Sequence, residues 1–178
     1  MDADNKNAKQ RSVDIMTGGM VKQSTDAPEE RVKALEKRLK TTLPPSYRHF
    51  LLNPKDRAWP GDLRMHEPEQ VDWFKAENQD WIDAWTEGAA EGGPISDKDY
   101  FVYGLRQDCC HMRSEYLPKV LQISTAEDGR VLLINPVIVD AKGEWEAWDF
   151  SNYYPGAKRY RTFSQMVNAL EKESDEEE

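Results

Sequence analysis

The sequence lacks a long apolar run and contains little cysteine. Hydrophobic residues make up 38% of its 178 residues and charged residues 32%, and no stretch approaches the roughly 18–20 consecutive apolar residues of a membrane-spanning helix. The two cysteines, Cys109 and Cys110, are adjacent, so they cannot link distant parts of the chain as the disulfides of small secreted proteins do. We therefore expect a cytoplasmic protein with no membrane segment.

The sequence also has fewer basic than acidic residues. The chain has 24 Lys and Arg against 33 Asp and Glu, a formal net charge of −9, which argues against nucleic-acid binding because that requires a basic surface. Four acids and four bases cancel in the first 27 residues, and six acids and one lysine give −5 in residues 171–178. Residues 28–170 therefore carry the remaining −4, and over half of the acidity lies at the C-terminus.

The charge and turn patterns divide the chain into three parts. Residues 1–27 are polar and lack the apolar core of a secretion signal, so we expect a flexible segment there. A single domain is expected over residues 28–172, followed by an acidic tail at 173–178, because blocks of like charge are typical of solvated chain.

Four segments have apolar residues at helical spacing. Prolines at positions 28 and 45 mark the starts of two helices, since proline is favoured in a first helical turn. We predict a third helix between Pro68 and Gly88 and a fourth near the C-terminus. The apolar positions of the four are Val32, Leu35 and Leu39; Tyr47, Phe50 and Leu51; Val71, Trp73, Phe74, Trp81, Ile82 and Trp85; and Phe163, Met166, Val167 and Leu170.

Between the third and fourth helices the pattern changes to short β-rich runs separated by turns. The runs are residues 100–103, 120–123, 131–134 with an extension at 137–139, and 144–150. In the last run, alternation places Trp145 on one face and Glu144, Glu146 and Trp148 on the other. Short turns favour antiparallel pairing. We therefore predict an α+β fold: a single domain with an antiparallel β-meander and helices packed on one side.

Three motifs occur in order along the chain: Leu43-Pro44 followed by Tyr47 and Phe50-Leu51; Asp128-Gly129 with Gly143, Trp145 and Trp148; and Phe163 with Met166 and Val167. Their order resembles that of the SUKH superfamily, which contains Smi/Knr-type fungal regulators and bacterial toxin-immunity proteins. The chain departs from the family pattern at Asn53-Pro54, where an Asn-Gly turn is usual.

The resemblance implies protein binding rather than catalysis, and no catalytic residue set or cofactor comes with it. We expect an immunity protein that neutralises a toxin acting in the cytosol by direct binding. The acidic domain would attract a basic toxin such as a nuclease. A regulatory scaffold of the Smi/Knr type is the alternative within the binding class. The sequence leaves the oligomeric state and the binding face open.

Four residues are candidates for the partner-binding surface. Trp59 lies in an expected loop, and Trp148 shares a strand face with Glu144 and Glu146; tryptophan is a preferred anchor of protein interfaces. The two glutamates also suggest a carbohydrate-active enzyme, because alternate strand residues lie roughly 7 Å apart, within the range of an inverting glycosidase. The more ordinary interpretation is that both glutamates simply lie on the solvent side of a hairpin.

No metal site is expected at Cys109 and Cys110. Adjacent residues of a strand point to opposite faces, whereas zinc-binding cysteines converge from a wider spacing. We expect one of these cysteines to be buried and the other to lie at the surface.

Overall fold

The computed structural model describes residues 27–53, 63–127, 129–151 and 155–177. Five α-helices and five β-strands are present in this part of the chain, with 3₁₀ helices at Phe74–Ala76, Gly104–Arg106 and Ser114–Lys119. The helices are α1 (Pro28–Leu39), α2 (Pro45–Leu52), α3 (Gln79–Gly92), α4 (Asp97–Tyr100) and α5 (Phe163–Glu177), and the strands are β1 (Asp72–Trp73), β2 (Leu121–Gln122), β3 (Arg130–Val139), β4 (Trp145–Ser151) and β5 (Gly156–Tyr160).

The strands form one antiparallel sheet in the order β1-β2-β3-β4-β5. This order is that of a meander, since every strand pairs with its neighbours in the sequence. The β3–β4 register shifts between Asn135 and Val139, because Pro136 has no N–H with which to continue the ladder. The predicted α+β class with an antiparallel meander is confirmed.

The first face of the sheet packs against α1, α2 and α5, as the expectation of helices on one side requires. Tyr47 and Phe50 of α2 contact the ring of Phe163 at centroid distances of 5.0 and 5.2 Å. Trp145 of β4 is buried in the same cluster together with Ala147, which confirms the face assigned to Trp145 by alternation. Proline begins both α1 and α2, as predicted.

The opposite face is covered as well, which the expectation of helices on one side did not include. Trp148 and Phe150 of β4 are fully buried there with Ile82 of α3 and Leu117. The physical reason is the composition of β4, whose seven residues are all buried, so neither face of this strand can be left to water. The sheet is therefore the middle layer of the domain.

Two local predictions are wrong. Residues 71–78 do not continue a helix: Asp72 and Trp73 pair with β2, and α3 begins only at Gln79. Residues 100–103 do not form a strand, because α4 ends at Tyr100 and the segment after it has no strand partner among the residues described. In both places a short cluster of aromatic residues happens to match the spacing expected for a helix or a strand.

Helix α5 continues to Glu177 and so includes most of the stretch assigned to an acidic tail at 173–178. Glutamate is a good helix former, and the ammonium of Lys158 on β5 lies 2.9 Å from the carboxylate of Glu173. The segment proposed to be flexible, 1–27, lies outside the described residues apart from Ala27. Within the described ranges, no helix is both long enough and apolar enough to cross a membrane.

Candidate functional site

Of the four predicted partner-binding residues, the three that the structure describes do not form one surface. Trp59 lies outside the described residues. Glu144 is partly exposed, and its carboxylate accepts hydrogen bonds from the backbone N–H and the hydroxyl of Ser46, at 3.0 and 2.6 Å. Ser46 is in the first turn of α2, where free N–H groups and the helix dipole favour an anion. Glu144 therefore ties the β3–β4 turn to α2.

Glu146 lies in the interior instead of on the solvent side of the hairpin, with 1% of its surface exposed. Its Oε2 accepts hydrogen bonds from the Tyr100 hydroxyl at 2.5 Å, the Trp148 indole N–H at 2.7 Å and the Asn135 amide at 3.0 Å. Its Oε1 accepts one from the Tyr103 hydroxyl at 2.8 Å. Four donors compensate for the loss of water around the carboxylate. Glu146 and the fully buried Trp148 thus lack the surface that direct contact with a partner needs.

The buried carboxylate perturbs both tyrosines that bind it. Burial is the main cause that raises the pKa of Tyr100 and of Tyr103 above the usual tyrosine value, and the negative charge of Glu146 raises both further. Both phenols therefore stay protonated and remain donors to Glu146 through the neutral range.

Arg159 of β5 holds the same segment from a second direction. Its guanidinium is buried, lies 4.4 Å from the centroid of the Tyr100 ring and donates to the Tyr100 carbonyl. Its backbone N–H donates to the Gln107 side chain at 2.6 Å. Residues 100–107, which we call the anchored loop, are therefore fixed to β4 and β5 while presenting Phe101 and Leu105 to solvent.

The carbohydrate-active alternative required Glu144 and Glu146 to face a common substrate. Glu144 binds the start of α2, whereas the oxygens of Glu146 are enclosed by four donors inside the domain. A glycosidic bond could not reach the buried carboxylate in this arrangement. The geometry therefore offers this alternative no support.

The adjacent cysteines are both free; Cys109 is partly buried and Cys110 is exposed. Desolvation is the first cause that raises the pKa of each thiol, which opposes formation of the thiolate needed for metal binding or nucleophilic attack. Among the described residues no group of three or more His, Cys, Asp or Glu is placed to hold a metal ion.

An apolar groove of about 1190 Å³ lies beside α3. Trp81 and Trp85 form part of its wall and also pack on Phe150, with ring centroids 5.1 and 5.2 Å apart, so the core holds them in place. The other described residues that line it are mostly small or apolar: Ala84, Thr86, Gly88, Ala89, Ala90, Gly92, Gly93, Pro94, Ile95, Cys110, Met112, Ser114, Glu115, Gly129 and Pro155.

The far wall of the groove is held by Arg113. Its guanidinium donates to the carbonyl of Ile95 at 2.7 Å and pairs with Asp97 at 2.6 Å. It also lies 4.6 Å from the centroid of the Tyr100 ring, which connects this wall to the anchored loop. Both walls are therefore fixed before a ligand arrives, and such preorganisation lowers the cost of binding.

This groove was not predicted, because the helical spacing of Trp81 and Trp85 assigned both residues only to the apolar face of a helix. They belong to the core and to the surface at once, each being partly buried. A usable signal was the run of alanine and glycine that follows them in α3. Small side chains on an amphipathic helix leave space beside large ones, and this indicates a concave surface.

The fold and the groove together define an α+β domain with a central antiparallel sheet and a preformed apolar surface, the kind of site at which a protein binds another molecule. The model of the SMI1/KNR4 family (SUKH-1) matches residues 26–169. The chain belongs to this family, and it is therefore a toxin-immunity or Smi/Knr-type domain. Proteins of the family are generally non-catalytic immunity or regulatory proteins and bind partner proteins such as toxins. No curated protein and no solved structure matches the chain.

Proposed function

We propose that this protein is an immunity protein that neutralises a toxin acting in the cytosol, such as a nuclease, by direct binding. The observation that carries the proposal is the apolar groove beside α3, whose walls are held by Phe150 and Arg113. A preformed apolar groove of this size suits a segment of a partner protein, because burial of apolar surface supplies most of the binding free energy. The family membership supports the same class of function.

Neutralisation by binding requires a stoichiometric complex and no turnover. The test is co-expression with a cytosol-acting toxin encoded by a neighbouring gene, once that gene is identified, followed by size-exclusion chromatography and a count of surviving cells. We expect a stable complex and survival that depends on the immunity protein. Equal killing with and without this protein would refute the proposed function. Trp59 stays a predicted contact residue, and a Trp59→Ala variant belongs in the same assay.

A further inference from the structure

The negative charge of the domain is concentrated on the helix that lines the groove. Residues 79–92 contain Asp80, Asp83, Glu87 and Glu91 and no Lys, Arg or His, so α3 has a formal charge of −4. The whole stretch of residues 28–170 also has a net charge of −4, with 19 bases and 23 acids. The remainder of that stretch is therefore neutral overall.

The acids of α3 lie beside the groove. Asp80, Asp83 and Glu87 are exposed and share one side of α3, because positions i, i+3 and i+7 fall on one helical face. Ala84 and Ala90 line the groove and follow Asp80 by four and Glu87 by three positions, so they are neighbours of these acids on the helix surface. Glu115 adds an acid to the lining on the opposite wall, and no basic residue lines the groove among the residues that the structure describes.

We infer that the groove receives a cationic amphipathic segment of the partner toxin, with apolar side chains against Trp81 and Trp85 and Lys or Arg side chains along the acids of α3. The inference rests on the proposed function and adds the binding face and the chemistry of the bound segment. Apolar burial would hold the segment, whereas charge complementarity would select it and speed its approach.

Other occupants of an apolar groove are disfavoured by charge. A second copy of the domain would bring another acidic α3 to the same place, where like charges repel. The chain's own residues 1–26 have no excess of positive charge, because their four acids and four bases cancel. A positively charged partner segment is the occupant for which both walls are complementary.

The first experiment uses a synthetic Leu/Lys peptide of about 15 residues that forms an amphipathic helix, and a Leu/Glu peptide of the same design as its control. Binding to the full chain is measured by isothermal titration calorimetry at low and moderate salt. We expect the Lys peptide to bind, the Glu peptide not to bind, and the affinity to fall as salt rises. Equal affinity for the two peptides would overturn the inference.

Four variants localise the binding. The change Asp80→Asn with Asp83→Asn and Glu87→Gln should weaken binding of the Lys peptide about tenfold or more. A matched control, Glu30→Gln with Glu171→Gln and Glu173→Gln, removes the same charge from exposed sites on α1 and α5, across the sheet from α3, and should change the affinity less than about threefold. Equal losses in the two triple variants would mean general charge attraction and would overturn the inference.

The third variant blocks the groove itself. A Cβ on Gly88 would meet nothing within 4 Å, so Gly88→Arg should fold, as checked by circular dichroism, while its bulk and positive charge prevent binding. Ala34→Arg is the matched control, because it places the same side chain at an exposed position of α1 on the other face of the sheet, and it should bind within about twofold of the wild type. Binding by Gly88→Arg at wild-type affinity would place the peptide elsewhere. Tighter binding after deletion of residues 1–26, or a dimer that dissociates on peptide addition, would show another occupant.

Protection from the toxin separates this inference from the proposed function. If the wild type does not protect cells, the proposed function is wrong. If the wild type protects and the α3 variants protect equally well, the function stands and the binding face is wrong. Loss of protection in the α3 triple variant and in Gly88→Arg, with protection retained in the matched controls, supports both.

Discussion

The Tyr100 hydroxyl donates a 2.5 Å hydrogen bond to the carboxylate of Glu146, and both residues are buried. The two are 46 residues apart in the sequence. This bond fixes the start of the anchored loop to the middle of the sheet. Because Tyr100 also contacts Arg113, which holds the far wall of the groove, the buried carboxylate supports the candidate binding face indirectly.

Removal of the Glu146 carboxylate should destabilise the domain strongly. Glu146→Ala leaves four donors without an acceptor, three of them buried and the Tyr103 hydroxyl partly buried, and each unsatisfied buried group costs about 1–3 kcal/mol. We expect a loss of about 3 kcal/mol or more in the free energy of unfolding, measured by urea denaturation. Glu146→Gln keeps one oxygen for three donors and should cost clearly less. Equal stability of the wild type and Glu146→Ala would contradict the role assigned to this residue.

Hydrogen exchange gives a second readout of the same change. In Glu146→Ala the amides of residues 100–107 should exchange faster than those of α1, because the loop loses its attachment while α1 packs on the other face of the sheet. A uniform increase over the whole chain would indicate global destabilisation without a specific role for the loop.

Stability should fall at alkaline pH. The pKa values of Tyr100 and Tyr103 are raised in the folded protein by burial and by Glu146, whereas unfolded tyrosine has a pKa of about 10. Above that pH the unfolded chain releases these protons and the folded protein retains them, so stability is full below about pH 10 and is lost as pH rises toward the folded values. Urea midpoints between pH 8 and 11 measure this loss.

Tyr100→Phe provides the control for that pH dependence. It removes one titrating phenol, so its stability should fall less steeply than that of the wild type above about pH 10, although it is lower at neutral pH because the bond to Glu146 is lost. Parallel curves for the two proteins would mean that Tyr100 does not contribute to the alkaline loss.

Several features of the fold follow from local sequence, whereas the polar interior does not. Alternation in β4 correctly separates Trp145 from Trp148, because the period of a strand is a local property. The burial of Glu146 is non-local: three of its partners come from residues 100–135. The groove also depends on elements far apart in sequence, with α3 on one side and Arg113 supporting the other.

The failed strand prediction for residues 100–103 has the same origin. Tyr100 and Tyr103 have strong β-propensity, but their hydroxyls bind Glu146 and the Tyr100 carbonyl accepts a bond from Arg159. These side-chain interactions replace the neighbouring strand that a β-strand needs. A pattern of residues cannot show which partner a segment will find.

Two glycine substitutions should change the free energy of unfolding in opposite directions. Gly156 has a φ of +136°, and a Cβ there would collide with the backbone carbonyl of Cys109, so Gly156→Ala should cost more than about 3 kcal/mol. Gly88 lies inside α3 with open space around it, so Gly88→Ala should stabilise the domain by up to about 1 kcal/mol. Thermal unfolding of both variants measures the difference, and a stable Gly156→Ala would be inconsistent with this packing.

Deletion of residues 171–178 should leave the fold and the candidate binding face intact. Leu170 is the last core residue of α5, with 6% of its surface exposed, and it is retained. The deletion removes the ion pair between Lys158 and Glu173, which is partly exposed, so the loss in unfolding free energy should be less than about 1 kcal/mol. Leu170→Ala should instead cost about 2–5 kcal/mol.

The same deletion changes the net charge from −9 to −4 while keeping all four acids of α3. If binding of the Lys peptide depends on α3, its affinity should therefore change little, whereas a large loss would assign the attraction to the C-terminal acids.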